Sequence, residues 1–104
     1  MPRTPLFPFS AAVIAAAPAL QGVYLLYDSQ GGLTYIGRAA GATVTIRSRL
    51  QNHLSGAEGP CTQRASYYAY ELTIDAANRE RELLAECLAN YGRLPPCNSV
   101  MPGR

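Results

Sequence analysis

Apolar and polar positions divide the chain into short strands and two amphipathic helices. Residues 22–28, Gly22-Val-Tyr-Leu-Leu-Tyr-Asp28, are rich in β-branched and aromatic side chains and run into Ser29-Gln-Gly-Gly32, the pattern of a strand entering a hairpin turn. Leu33-Thr-Tyr-Ile-Gly37 is the return strand. Strands joined this tightly are antiparallel, which brings Tyr24 and Tyr35 onto neighbouring strands where one face can carry both. After a small-residue loop over 38–41, Thr43 or Thr45 can cap a helix covering Val44 to Leu54, in which Ile46, Leu50 and Leu54 recur at helical spacing. Ile46 and Leu50 are expected to face the sheet. Gly56, Gly59 and Pro60 predict an irregular loop over 55–64, and Ser66 to Ile74 reads as a third strand. Asp75 opens the last helix, whose apolar stripe is Leu83, Leu84, Cys87, Leu88 and Tyr91; Gly92, Pro95 and Pro96 stop it. Upstream, the alanine-rich run from Ser10 to Ala17 predicts a short packing helix. The expected fold is α+β, a small three-stranded antiparallel sheet flanked by helices. It is expected to be a single domain over 1–104, with its core at 22–98 and an N-terminal packing segment at 1–20.

Composition excludes some classes. With 48% hydrophobic and 15% charged residues, the 104-residue chain is unlike a disordered segment and has the length of one domain. Arg3 ahead of the apolar run 11–17 imitates a secretory signal, but Pro5, Pro8 and Pro18 interrupt it. No apolar stretch reaches the roughly 18 residues that span a bilayer, so no membrane partner is expected. The three cysteines, Cys61, Cys87 and Cys97, form no C-x-x-C spacing, and their odd number does not suggest a disulfide framework. A cytoplasmic location follows as an expectation, with Cys61 assigned no chemical role because no adjacent His or Asp supports one.

Net charge is only +2, so its distribution says more than its size. Before Glu58 the sole acid is Asp28, whereas Arg3, Arg38, Arg47 and Arg49 lie there, and no lysine occurs anywhere. Each fixed side-chain cation is therefore a guanidinium, the group suited to bidentate phosphate contacts, although genomic base composition produces the same bias.

Gly22-Val23-Tyr24, Tyr35-Ile36-Gly37, Arg49-Leu50 with His53, an acidic helix and Asn98 after Pro95-Pro96-Cys97 follow one another in an order that resembles the GIY-YIG nuclease superfamily. Either tripeptide alone is a weak signal; both in order, with a hairpin between them, are a strong one. The resemblance covers Gly22 to Asn98 and implies a metal-dependent endonuclease that hydrolyses a DNA phosphodiester by direct attack of an activated water. The implied catalytic set is Tyr24, Tyr35, Arg38, Arg49, His53, Glu80 and Asn98.

Each matched residue has a task that the reaction requires. A phenol with an ordinary pKa near 10 serves as general base only where cations depress it, and Arg38, three residues after Tyr35, is placed to do so. Which tyrosine takes the proton is open in the sequence. Arg49 offers forked donors to the scissile phosphate, and His53 lies one turn along the same helix face. Mg²⁺ or Mn²⁺ needs a hard oxygen ligand, for which Glu80, followed by Leu83 and Leu84, is the first choice and Glu82 the second. Glu86 lacks the aliphatic pair. Asn98 is expected to hold the site loop or reach substrate. Arg47, Gln63 and Arg64 are candidates for contacts along the nucleic-acid backbone. A monomer acting in DNA repair or recombination, with specificity supplied by a protein partner, fits so short a chain. The competing readings are a non-cleaving nucleic-acid binding module on the same fold and a plain interaction domain.

Overall fold

A computed structural model describes residues 2–99. Its elements are β1 (Phe7–Pro8), α1 (Ala11–Ile14), β2 (Gly22–Tyr27), β3 (Leu33–Ala39), α2 (Ile46–Ser55), α3 (Pro60–Gln63), β4 (Tyr67–Leu72) and α4 (Ala76–Tyr91). The sheet is antiparallel in the order β1-β4-β2-β3. It therefore has four strands among the described residues, not the three expected. The additional strand, β1, pairs only Phe7 with Tyr68 and Pro8 with Tyr67. A two-residue strand ending in proline carries no alternation to read, and proline, lacking an N–H, fits only a sheet edge.

β2 lies between β4 and β3 and is buried on both faces, which is why it reads as a continuous apolar run rather than an alternating one. Tyr24 and Leu26 pack with Ile14, Ala39, Ile46 and Leu50 on the face covered by α1 and α2. Val23 and Leu25 pack with Ile36, Ala76, Leu83 and Leu84 on the face covered by α4. The pairings Tyr24↔Gly37 and Leu26↔Tyr35 put both tyrosines of the paired tripeptides on the α2 face.

The helix ends follow local chemistry. Thr45, rather than Thr43, caps α2: its hydroxyl accepts from the Ser48 N–H while the Ser48 hydroxyl accepts from the Thr45 N–H. Gly56 ends the helix at φ 87°, and Gly92 ends α4 at φ 73°. The stripe read along α4 is buried only as far as Leu84; Leu88 is 42% and Tyr91 74% exposed. The N-terminal helix is one turn, Ala11–Ile14, shorter than expected, yet Ile14 and Ala17 are buried by it. Within the stretch read as an irregular loop, Pro60 starts the single turn of α3.

The reading of the cysteines is corrected. Cys61 and Cys97 form a disulfide across 36 residues of sequence, and Cys87 is free. Pairing depends on where the tail folds back, which an odd count could not reveal, and it removes the cysteines as an argument for a reducing compartment. Among the described residues no helix is long and apolar enough to cross a membrane.

Candidate active site

Because β3 is the edge of the sheet, with α2 over one face and α4 over the other, side chains from both faces can meet around its rim. A cleft of about 310 Å³ there is lined by Tyr35, His53, Glu58, Thr62, Glu80 and Asn98. A second lobe of about 320 Å³ shares Tyr35 and Glu80 and adds Arg38 and Arg49.

Three rings form the floor. Tyr24, Tyr35 and His53 have centroids 6.1 Å (Tyr24 to Tyr35), 5.4 Å (Tyr24 to His53) and 5.1 Å (Tyr35 to His53) apart. Tyr24 is fully buried, whereas Tyr35 is half-buried and opens to the cleft. The Tyr24 hydroxyl is 2.8 Å from His53 Nε2, and His53 Nδ1 is 2.7 Å from the hydroxyl of Thr62. Burial, with the nearby Arg49 charge adding to it, pushes the imidazole down to a pKa of about 4. At neutral pH His53 is therefore uncharged.

The charges around these rings oppose one another. Burial raises both phenols above their ordinary range, and Arg49 pulls both back toward ionisation. Glu80 acts against Arg49 at Tyr35. Burial also raises the Glu80 carboxyl, against the pull of Arg38, Arg49 and Arg81. Arg38 Nη1 lies 3.7 Å from Glu80 Oε1, and Arg49 Nη1 lies 3.3 Å from Glu58 Oε2. Each arginine thus keeps further donors for an incoming anion.

Asn98 closes one end. Its Oδ1 accepts from the Ile36 N–H at 2.9 Å and its Nδ2 donates to the Ile36 carbonyl at 3.0 Å, so one side-chain amide stands in for a neighbouring strand. The N–H of Cys97 donates to the Thr34 carbonyl at 2.8 Å in the same manner.

A divalent cation fits this donor set in one way. Among the described residues Glu80 is the cleft carboxylate whose one ion pair is the long one to Arg38, and no three His, Cys, Asp or Glu side chains gather as a ligand cage. One carboxylate beside open space suits a hard ion that keeps most of its water, as Mg²⁺ does, and not a closed zinc site.

The family model of the GIY-YIG catalytic domain matches residues 20–86. The chain belongs to the GIY-YIG family. It is also 29% identical over 75 residues to UvrABC system protein C of Moorella thermoacetica; the match covers 71% of this chain and 12% of that protein's length. Family membership brings nuclease-type chemistry to this chain in general terms.

The glycines of the GIY-YIG tripeptides have a physical reason here. Gly37 sits directly across from Tyr24, and a Cβ there would collide with the Tyr24 phenol and come within 2.7 Å of the Tyr35 ring. At Gly22 it would strike the backbone carbonyl of Glu71 on β4. The motif therefore clears room for one tyrosine to lie over the opposite strand.

Other residues singled out in the sequence lie outside the cleft lining. Glu82 is exposed and bonds Arg79 and Asn78. Arg47 Nε donates to the Ala17 carbonyl at 2.8 Å, tying α2 to the N-terminal segment. Gln63 Nε2 donates to the Leu54 carbonyl, and Arg64 lies beside the disulfide in a separate depression with Asp28 and Thr34. Conversely, Glu58 and Thr62 line the cleft without having been singled out. No spacing marks either one, since both reach the site through the turn at α3.

Proposed function

We propose that this cleft is the active site of an endonuclease that hydrolyses a phosphodiester bond of DNA with a divalent cation. The observation that carries the reading is the convergence of Tyr35, Arg49 and Arg38 with Glu80 on one open cleft, although they come from both faces of the sheet.

In this reading Tyr35 is the general base, because it is the phenol that reaches the cleft while Tyr24 is sealed behind it. Its ionised form takes a proton from water as the water oxygen bonds to phosphorus and the P–O3′ bond breaks, with the alkoxide reprotonated from solvent. Arg49 and Arg38 receive the negative charge that builds on the phosphoryl oxygens, Arg49 exchanging Glu58 for the phosphate. Glu80 is the residue that would hold Mg²⁺ or Mn²⁺, and such an ion would supply Lewis-acid charge at the scissile phosphate. A cation at Glu80 would also cancel one of the carboxylate charges that oppose ionisation of Tyr35. Asn98 holds β3 in register beside the cleft and takes no part in proton transfer. So few groups line the cleft that recognition of DNA would rest on backbone and shape, with sequence choice left to a partner.

The test is cleavage of supercoiled, single-stranded and branched DNA with Mg²⁺ or Mn²⁺ by the wild type, Arg49→Ala and Glu80→Gln. Each variant is expected to lose about 100-fold or more in rate, the scale of one preorganised electrostatic contact. Wild-type rates in both variants would end this mechanism, and salt-sensitive DNA binding with no cleavage under either metal would support a non-cleaving module instead.

A further inference from the structure

Thr62 lines the cleft beside His53, 4% exposed, and its hydroxyl makes one hydrogen bond among the described residues, to His53 Nδ1 at 2.7 Å. A hydroxyl carries one proton. Nδ1 is the one acceptor within hydrogen-bond distance among the described residues, so that proton belongs there, since any other orientation leaves both the hydroxyl and Nδ1 without this partner. His53 is uncharged and so holds a single N–H, which Thr62 leaves on Nε2. Nε2 is the nitrogen 2.8 Å from the Tyr24 oxygen, which therefore accepts from His53. Arg49, which has donors only, also engages the Tyr24 oxygen. With Arg49 and His53 both donating to that oxygen, the Tyr24 proton turns to the neighbouring phenol of Tyr35, whose ring centroid lies 6.1 Å from that of Tyr24.

We propose that Thr62 is a positioning residue that sets the tautomer of His53, so that hydrogen-bond donation runs from Thr62 through His53 and Tyr24 and ends on Tyr35, the phenol that faces the cleft. In the opposite tautomer Tyr24 donates to His53 instead and Tyr35 loses its donor. A hydrogen bond donated to a phenol oxygen favours its ionised form, and the donation from Tyr24 works in that direction at Tyr35. The arrangement is held from outside by Cys61, the neighbour of Thr62, through its disulfide to Cys97. The other charged groups facing Tyr35 are Arg49 from α2, Glu58 from the loop after it, Glu80 from α4 and Arg38 from β3 itself.

The tautomer can be read without any assay of activity, because His53 is the one histidine in the chain. Protein labelled with ¹⁵N-histidine would give a single imidazole pattern at neutral pH in long-range ¹H–¹⁵N spectra. The expected wild-type spectrum has a protonated Nε2 and a bare Nδ1. Thr62→Ser keeps that pattern, and Thr62→Val, which has the shape but no hydroxyl, shifts it toward protonated Nδ1. A wild-type spectrum with protonated Nδ1, or a Thr62→Val spectrum identical to wild type, overturns the proposal. The consequence for Tyr35 rests on the nuclease reading and is tested separately. In a DNA cleavage assay the acid limb of the rate profile should move up by roughly one to two pH units in Thr62→Val, the scale of one hydrogen bond to a charged group, and stay in place in Thr62→Ser. An unmoved limb in Thr62→Val would overturn the link to Tyr35, whereas absence of cleavage in every variant would count against the nuclease reading and leave the spectra to decide the tautomer.

Discussion

Acid should destabilise this protein through a single imidazole. His53 is 1% exposed, and burial lowers its pKa from an ordinary 6.5 to about 4. In the unfolded chain it titrates near the ordinary value, so between these two pH values the unfolded state binds a proton that the folded state refuses. The sign follows: stability is complete above about pH 6.5, falls as the pH drops toward about 4, and levels off below. A displacement of that size is worth on the order of 3 kcal/mol in full, of which about 2 kcal/mol is already lost at pH 5. Carboxylates titrate in the lower part of this window, so the comparison is with His53→Gln. Urea unfolding under non-reducing conditions at pH 7.5 and pH 5 gives the change for each protein. The wild type should lose about 2 kcal/mol between the two and the variant less than about 0.5, whatever the variant's stability at pH 7.5. Equal losses, or a directly measured His53 pKa near 6.5, would refute the claim that the imidazole is sealed beneath Tyr35.

Gly37→Ala would thrust a methyl group into the Tyr24 and Tyr35 rings; a loss of about 1–3 kcal/mol in unfolding free energy is expected, with altered near-ultraviolet circular dichroism from the displaced tyrosines. Breaking the Cys61–Cys97 bridge, which closes 36 residues, should cost about 3–4 kcal/mol, read from urea curves of Cys61→Ser/Cys97→Ser against the oxidised wild type. Glu71 is buried on β4, where burial raises its carboxyl but the hydrogen bonds and charges of Arg79 at 2.8 Å and Arg3 at 3.0 Å outweigh that and hold it below the usual carboxylate range. Glu71→Gln should therefore lower stability by about 1–2 kcal/mol at neutral pH, both arginines being partly exposed, and the deficit should vanish as the pH falls through the depressed pKa of the wild-type carboxyl.

Features set by near neighbours in the chain were legible. The hairpin and its turn follow from two runs rich in β-branched and aromatic residues joined by the glycines at the tip, and the shared face of Tyr24 and Tyr35 from the antiparallel pairing so tight a turn imposes. Helical periodicity turned Glu80 inward with Leu83 and Leu84 and left Glu82 outside. Features that depend on segments meeting from far apart were not legible. Asn98 and Ile36 are 62 residues apart, and nothing local marks the tail as the partner of an edge strand. Cys61 pairs with Cys97 because α3 and the tail meet beside the cleft, while Phe7–Pro8 becomes a strand only because β4 has an open edge to offer it. Thr62 carries no signal of its own, since its role comes entirely from His53.

These long-range contacts explain why the site can sit on an edge strand. An open edge offers unpaired N–H and C=O groups that invite another chain. On β3 the groups of Thr34 and Ile36 that point away from β2 are taken up by Cys97 and Asn98, and the tail is then tied by the disulfide to α3, which carries Thr62. The same few residues that satisfy the edge also fix the two walls of the cleft. An edge position gives access from both faces of the sheet, so Arg49 and His53 from α2 can meet Glu80 from α4 around one phenol. A central strand could not provide this, because the backbone on either side would keep the two faces apart.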